Sequence, residues 1–212
     1  MLNKKSIIIP VVQSPNALAK IGLNTNIVKS IAMSAAGGRA DSLSIDPYGT
    51  PGTLSYIHGV RAKRLQLLPK GWRENRLGNV ESTVNDELGI QLCFQNVDLA
   101  CNPDGFPRAI SAKGPVSRNL INSGQTDLFD TSHGLKKDNF GSFPAVWLIC
   151  VSVDDQLSVK AEVSRPMWFE GNQFEGFHER IFVVDESFTP EPRSNRSDDD
   201  DDSDFEVYVS KK

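Results

Sequence analysis

Long apolar runs are scarce in this 212-residue chain. The longest, Phe143–Val151, has nine residues and contains a proline. A transmembrane helix needs roughly 20 apolar residues, so we expect no membrane-spanning helix and no membrane partner. Near the N-terminus, the apolar stretch Ile7–Val12 is too short for the hydrophobic core of a secretory signal peptide. The expected location is therefore cytoplasmic.

Cysteine is also rare. The three cysteines, Cys93, Cys101 and Cys150, contain no Cys-x-x-Cys pair. An odd number of widely spaced cysteines gives no disulfide framework, which favours a reducing compartment. Together with His133 they could supply four zinc ligands, but zinc ligands usually come in close pairs. We expect no metal and no other cofactor.

Motifs for nucleophilic and nucleotide chemistry are absent as well. There is no Gly-x-Ser-x-Gly, and the histidines, His58, His133 and His178, have no serine or cysteine partner at a recognisable spacing. The loop Gly49–Thr53 precedes a predicted helix and could present amide N–H groups to an anion. It lacks the Gly-Lys-Ser/Thr ending of a P-loop. An enzyme is therefore the less favoured class.

One pattern is compatible with a metal-dependent nuclease, which needs clustered carboxylates and a lysine around a divalent ion. Lys160 and Glu162 are two positions apart on a predicted strand, so both should project from its solvent-facing side. Asp127 and Asp130 are the nearest further carboxylates. Any solvent-exposed strand has the same pattern, so Glu162 and Lys160 are weak catalytic candidates.

The spacing of apolar residues predicts an α+β fold, in which a helical N-terminal third packs on a mostly antiparallel, β-rich remainder. Residues 6–12 are apolar and β-branched and predict a short buried strand. Helical spacing predicts three helices, at about 14–21, at 27–36 with an end at Gly37-Gly38, and at 53–68. Further strands are predicted at 80–84, 90–97, 145–153, 157–164 and 179–184, of which 145–153 and 157–164 form a hairpin. The segment 102–141 is rich in turn residues and contains either short elements or a functional loop.

One side of the third predicted helix combines apolar residues with an arginine. Its residues Leu54, Ile57, Arg61, Leu65 and Leu68 are spaced so that they lie on one side. Four of the five are apolar, so this side of the helix is apolar except at Arg61.

Charge is sorted by position along the chain. Residues 1–76 contain 11 Lys/Arg and 3 Asp/Glu, a balance of +8. Residues 77–184 contain 8 and 14, and residues 185–212 contain 4 and 10, so each of these two parts has a balance of −6. We interpret 1–187 as one α+β domain with a basic helical part, 1–76, and a β-rich part, 77–187. Residues 188–212 are predicted to be a disordered acidic tail.

The basic part suggests contacts with DNA or RNA. Its candidate residues are Arg61, Lys63, Arg64, Lys70, Arg73 and Arg76 for phosphates, and Trp72 for stacking on a base. The alternative is a solvated helix face with the tryptophan in the core. The decisive observation is whether these arginines share an open face or pair with acids of the β-rich part.

Two other features suggest a protein partner. Aromatic residues crowd between 140 and 188, and either fold over the sheet as core or form a surface for a partner. In the tail, the acidic run Asp198–Asp202 and Asp204 is followed by the short amphipathic segment Phe205–Val209. This tail either aids solubility, binds a basic partner, or folds back on 61–76. The sequence thus favours a non-enzymatic nucleic-acid-associated protein, with a protein-interaction subunit and a metal-dependent nuclease as alternatives.

Overall fold

The computed structural model describes residues 6–77, 80–111, 114–123 and 144–189. Its α-helices are α1 (Ser14–Lys20), α2 (Thr25–Ala40), α3 (Thr50–Leu67) and α4 (Pro115–Ser123). Its strands are β1 (Ile7–Ile9), β2 (Arg73–Leu77), β3 (Val80–Asn85), β4 (Ile90–Asn96), β5 (Ala145–Val153), β6 (Ser158–Pro166), β7 (Phe169–Glu170), β8 (Gln173–Phe174) and β9 (Phe177–Ser187).

Seven of these strands form one sheet, in the order β1-β9-β6-β5-β4-β3-β2. The pairs β1–β9 and β4–β5 are parallel, and the other four pairs are antiparallel. The predicted α+β class with a mostly antiparallel sheet is confirmed. The predicted boundary at residue 76 falls inside β2, so the basic and β-rich parts share this sheet.

The hairpin β5–β6 is where the sequence pattern predicted the structure best. Val151 pairs with Ala161 and Val153 with Val159, as expected for an antiparallel hairpin. The carboxylate of Asp154 accepts a hydrogen bond from the amide of Ser158, at 2.8 Å, and closes the turn. The prediction of this hairpin is confirmed.

Helices α2 and α3 cover one face of the sheet and enclose the main apolar core, which includes Ile31, Leu67, Phe94 and Ile149. The predicted end of α2 at its two glycines is wrong, because the helix continues to Ala40. Gly38 instead allows α3 to approach. A Cβ on it would lie 2.7 Å from the backbone oxygen of Leu54.

A second apolar cluster covers the opposite face of the sheet. It contains Cys93, Leu148 and Cys150 of the central strands and is closed by Ile121 of α4 and Phe177 of β9. Helix α4 lies within the loop-prone segment 102–141, which therefore contains a short element as one alternative predicted. Residues 112–113 and 124–141 of that segment lie outside the described residues.

The first strand forms where it was predicted, but it is exposed and not buried. β1 covers only Ile7–Ile9 and lies at one edge of the sheet. Ile7 is 64% exposed, because an edge strand has a neighbour on one side only. The prediction that residues 6–12 are buried is wrong.

None of the helices in the described residues is both long enough and apolar enough to span a membrane. The acidic run and Phe205–Val209 lie outside the described residues, as does His133. At the start of the predicted tail, Phe188 still packs against the core, and its amide donates a 2.8 Å hydrogen bond to the carbonyl of Leu157.

Candidate binding groove beside the open edge of the sheet

Helix α3 presents its apolar stripe to solvent. Leu65 is 69% exposed and Ile57 is 42% exposed, and both belong to that stripe. The buried side of the helix carries small or polar residues at several positions, among them Ser55, Gly59 and Ala62. The side of α3 with the apolar stripe is therefore not the side that packs on the sheet.

The close packing of α3 on the sheet explains this orientation. A Cβ on Gly59 would lie 2.4 Å from ring atoms of Phe94 on β4, so only glycine fits at this point. Ser55 donates a 3.0 Å hydrogen bond to the side chain of Asn96 on the same strand. A larger side chain does not fit where Gly59 meets Phe94, and several large residues of the helix are found on its outer side.

The outer side of α3 forms one wall of a groove of about 540 Å³. The lining residues are Tyr56, Ile57, Val60, Arg61, Arg64, Leu65, Leu68, Pro69, Glu74 and Glu81. The groove is thus apolar along the helix and charged where the helix meets β2 and β3. We call it the α3–β2 groove. Its volume lies in the range of ligand-binding clefts.

Four charged side chains form a network where the helix meets the strands. Arg64 forms a salt bridge with Glu81 and lies 3.7 Å from a carboxylate oxygen of Glu74. Arg76 reaches the same two carboxylates, at 3.1 Å from Glu74 and 3.4 Å from Glu81. The Nε of Arg64 is buried and donates no hydrogen bond within the described part of the chain. This nitrogen is shielded from solvent and faces the carboxylate of Glu74 within the network.

Lys63, predicted to contact phosphates, lies inside the protein. Its side chain is fully buried, and Nζ donates hydrogen bonds to the carbonyls of Glu81, at 3.2 Å, and Leu92, at 2.9 Å. Burial lowers the pKa of Lys63 to about 8, because the charged form loses its hydration. Lys63 therefore connects α3 to the sheet and is inaccessible to a ligand.

Two other predicted nucleic-acid contacts are also engaged within the fold. Trp72 is buried in the main core, so its ring is not free to stack on a base. Arg73 donates two hydrogen bonds to the carboxylate of Asp86, at 2.6 and 2.8 Å. These hydrogen bonds lower the pKa of Asp86.

Much of the basic stretch is therefore paired within the fold. Arg64, Arg73 and Arg76 pair with acids of β2, β3 and the following turn. Arg61 and Lys70 are exposed and form no ion pair with any residue in the described ranges. The structure brings Arg61 and Arg64 into one groove, but it does not assemble the seven candidates into one basic surface.

The edge of the sheet next to the groove is open. β2 pairs with β3 on one side, with Arg76 opposite Glu81, and no other strand of the described residues lies on its other side. An edge strand exposes backbone N–H and C=O groups that can bind a further strand. The α3–β2 groove thus combines an apolar wall with a backbone capable of strand addition.

The two weak catalytic candidates have different environments from those expected. Glu162 is fully buried, and Arg180 donates hydrogen bonds of 2.8 and 2.6 Å to its two oxygens. Lys160 is partly exposed and lies 3.2 Å from a carboxylate oxygen of Asp185. β6 keeps a regular register with β5 through Lys160 and Glu162, so both lie on the same side of the strand as expected. The segment after β4 covers that side at Glu162, whose carboxylate accepts a hydrogen bond from the amide of Cys101. The expected exposure of Glu162 is therefore wrong, and it offers no accessible carboxylate for a metal.

The buried ion pair has a structural role in the layer opposite α3. Arg180 also donates to the carbonyls of Asn102 and Gly105, each at 2.8 Å, and Glu162 accepts from the amide of Cys101 at 2.6 Å. These bonds hold the segment after β4 against the sheet. Burial raises the pKa of the Cys101 thiol to about 12, and the negative charge of Glu162 adds to this effect.

Some of the candidate metal ligands and aromatic residues lie within the described residues. Within the described residues, no three His, Cys, Asp or Glu side chains come together as possible metal ligands. Asp127 and Asp130 lie outside those residues. Among the aromatics, Phe174 and Phe177 are buried, which confirms the core interpretation for them, whereas Trp168 is 43% exposed.

The spacing of apolar residues alone does not reveal that the stripe of α3 lines a groove. A signal for this was present in the small residues Ser55, Gly59 and Ala62, which recur at helical spacing opposite the stripe. Small residues on one side of a helix permit close packing, and a charged residue, Arg61, interrupts the other side. Comparisons of the chain with models of known protein families, with curated proteins and with solved structures found no match.

Proposed function

We propose that this protein is a non-enzymatic binding protein that takes up an extended segment of another protein in the α3–β2 groove. The observation that carries the proposal is the exposed apolar stripe of α3 beside the unpaired edge of β2. Backbone hydrogen bonds to β2 would supply affinity, and alternate side chains of the bound segment would occupy the groove.

The charges in the groove favour a segment with acidic residues. Arg61 lines the groove, is exposed, and has no ion-pair partner among the described residues. Glu74 and Glu81 are already bound by arginines, so they repel an acidic ligand less than free carboxylates would. We infer a ligand in which apolar residues alternate along a strand and carboxylates lie beside them.

A protein ligand is favoured over nucleic acid for a physical reason. Phosphate binding needs several free cations on one face. Here Lys63 and Trp72 are buried, while Arg64, Arg73 and Arg76 are bound to carboxylates. The large exposed apolar side chains of the groove are suited to contacts with protein side chains.

The test is a selection of displayed random peptides of about 12 residues on the immobilised full-length protein, long enough for one added strand of typical length. We expect enriched peptides with alternating apolar residues and acidic neighbours. Leu65→Glu should weaken their binding by at least about tenfold, because it places a charge among the apolar contacts. Leu43→Glu is the matched control, since Leu43 is an exposed leucine outside the groove lining.

Two results would contradict the proposal. One is the absence of any enriched peptide whose binding depends on Leu65. The other is salt-sensitive binding of single- or double-stranded DNA that is lost in the variant Arg61→Glu/Lys70→Glu and retained in Leu65→Glu. That second pattern would assign the surface to nucleic acid.

A further inference from the structure

We propose that the α3–β2 groove binds the acidic tail of this same chain, with Phe205–Val209 as the added strand and Asp198–Asp202 beside the basic side chains of α3. This inference rests on the proposed function and names an internal competitor for the same site. The groove would then be closed to other proteins until they displace the tail.

The composition of the tail fits the groove. In an extended strand, Phe205, Val207 and Val209 project to one side, and Glu206 and Tyr208 to the other. All five residues except Glu206 favour β-structure. Three apolar side chains on one face match the apolar wall of α3, and the tail contains no other comparable apolar segment after Thr189.

Charge complementarity supports the same occupant. Between residues 50 and 86 the chain has six Lys/Arg and three Asp/Glu, which leaves a balance of +3. Arg61 and Lys70 supply exposed cations that no described residue neutralises. The tail has five consecutive aspartates, Asp198–Asp202, and Asp204 directly before Phe205. At moderate salt, these charges attract each other over about 10 Å.

The length of chain between the fold and Phe205 permits this contact. Phe205 comes 16 positions after Thr189, the last described residue. Sixteen extended residues span up to about 53 Å, whereas a domain of this size has a radius of gyration of about 16 Å. β9 and β2 are five strand spacings apart in the sheet, about 24 Å, so the segment is long enough to reach the groove.

The direct test places a photo-crosslinking benzoylphenylalanine at position 205 of the full-length protein and maps the products by mass spectrometry. We expect crosslinks to the groove residues Tyr56, Leu65 and Leu68, mainly within the monomer, and their loss in the variant Leu65→Glu. The same probe at position 208 is the matched control and should crosslink the groove at least about threefold less, since that side chain projects to the other side. Crosslinks spread over the surface, or absent from the groove, would overturn the inference.

A second measurement separates this inference from the proposed function. The groove-binding peptides obtained above are titrated against the wild-type protein and the variant Phe205→Asp/Val207→Asp. A tethered competitor acts at an effective concentration near the millimolar range, so the variant should bind peptides at least about tenfold more tightly. Tyr208→Asp should change the affinity little.

The outcomes are distinct. Peptides that bind both proteins equally, together with no groove crosslinks, would contradict tail docking and leave the proposed function standing. Failure of both proteins to bind any peptide, with no crosslinks to the groove, would contradict both. Crosslinks found only between two copies would contradict docking within one chain, because they would show that the tail occupies the groove of another molecule.

Discussion

Gly59 of α3 lies directly against the ring of Phe94 on β4, so closely that a Cβ on the glycine would be 2.4 Å from ring carbons. This contact sets the distance between helix and sheet. Leu65 and Leu68 lie on the outer side of the helix, where they line the groove.

We expect Gly59→Ala to destabilise the protein despite the higher helix propensity of alanine. Alanine gains about 1 kcal/mol in a helix, but an overpacked contact usually costs about 1–3 kcal/mol, and this contact is severe. The free energy of unfolding in urea should fall by about 2 kcal/mol. Gly52→Ala is the control, because Gly52 lies in the same helix and a methyl group on it would meet no atom within 4 Å. An equal loss in both variants would contradict the close contact.

The orientation of α3 gives a second prediction, which compares two leucines two positions apart. Leu67→Ala should lower the free energy of unfolding by about 2–5 kcal/mol, because Leu67 is fully buried. Leu65→Ala should change it by no more than about 0.5 kcal/mol, because that side chain is mostly exposed. Urea denaturation measures both. The reverse order would mean that Leu65 and not Leu67 faces the core, and it would contradict this orientation of α3.

The sequence pattern was a good guide where one signal dominated. The hairpin β5–β6 follows from a buried apolar strand, a polar turn at Asp154-Asp155 and a second alternating strand, all adjacent in the chain. In α3 the spacing showed an apolar side but did not show which side is buried. The buried side includes Gly59, which lies against Phe94, 35 positions away. That distance in sequence is beyond what helical spacing can report.

The buried charges show the same limit. Nothing local in the sequence distinguishes Glu162 from an exposed strand glutamate, because its partner Arg180 is 18 positions away on another strand. The sequence around Lys63 is also that of a surface lysine. Its burial depends on the carbonyls of Glu81 and Leu92, which accept hydrogen bonds from its Nζ. The pairing of Arg73 with Asp86 likewise depends on the turn between β3 and β4. Charge counts therefore predicted a basic part at 1–76. The fold shows that several of its arginines are paired with acidic residues of the same chain.

Glu162 and Lys160 give a third prediction, since they lie on one strand and have opposite environments. Glu162→Gln leaves the charge of Arg180 buried without its counterion and should cost about 3–5 kcal/mol. Lys160→Met removes an exposed pair with Asp185 and should change the free energy of unfolding by less than about 1 kcal/mol. Thermal and urea denaturation measure both variants. Equal small effects would contradict the buried ion pair.

Lys63 gives a fourth prediction, on pH dependence. Its pKa is lowered from 10.5 to about 8 in the folded protein, so between these values the unfolded chain binds a proton that the folded chain does not. Stability must then rise as pH increases through this window, and it is lost as pH falls through 8. From pH 7 to pH 9 the free energy of unfolding should increase by about 1 kcal/mol. The neutral amine retains two hydrogens, enough for both carbonyl acceptors.

Cys101 opposes this trend at higher pH. Its pKa is raised from 9.0 to about 12, so the unfolded chain loses the thiol proton first and stability falls as pH increases above 9. The measurement therefore belongs between pH 7 and pH 9, by urea denaturation at several pH values. Lys63→Met should lose the increase, whatever its own stability, because no titrating amine remains. Lys160→Met should keep it, because Lys63 is still present. A wild-type slope that persists in Lys63→Met would show that another group causes the pH dependence.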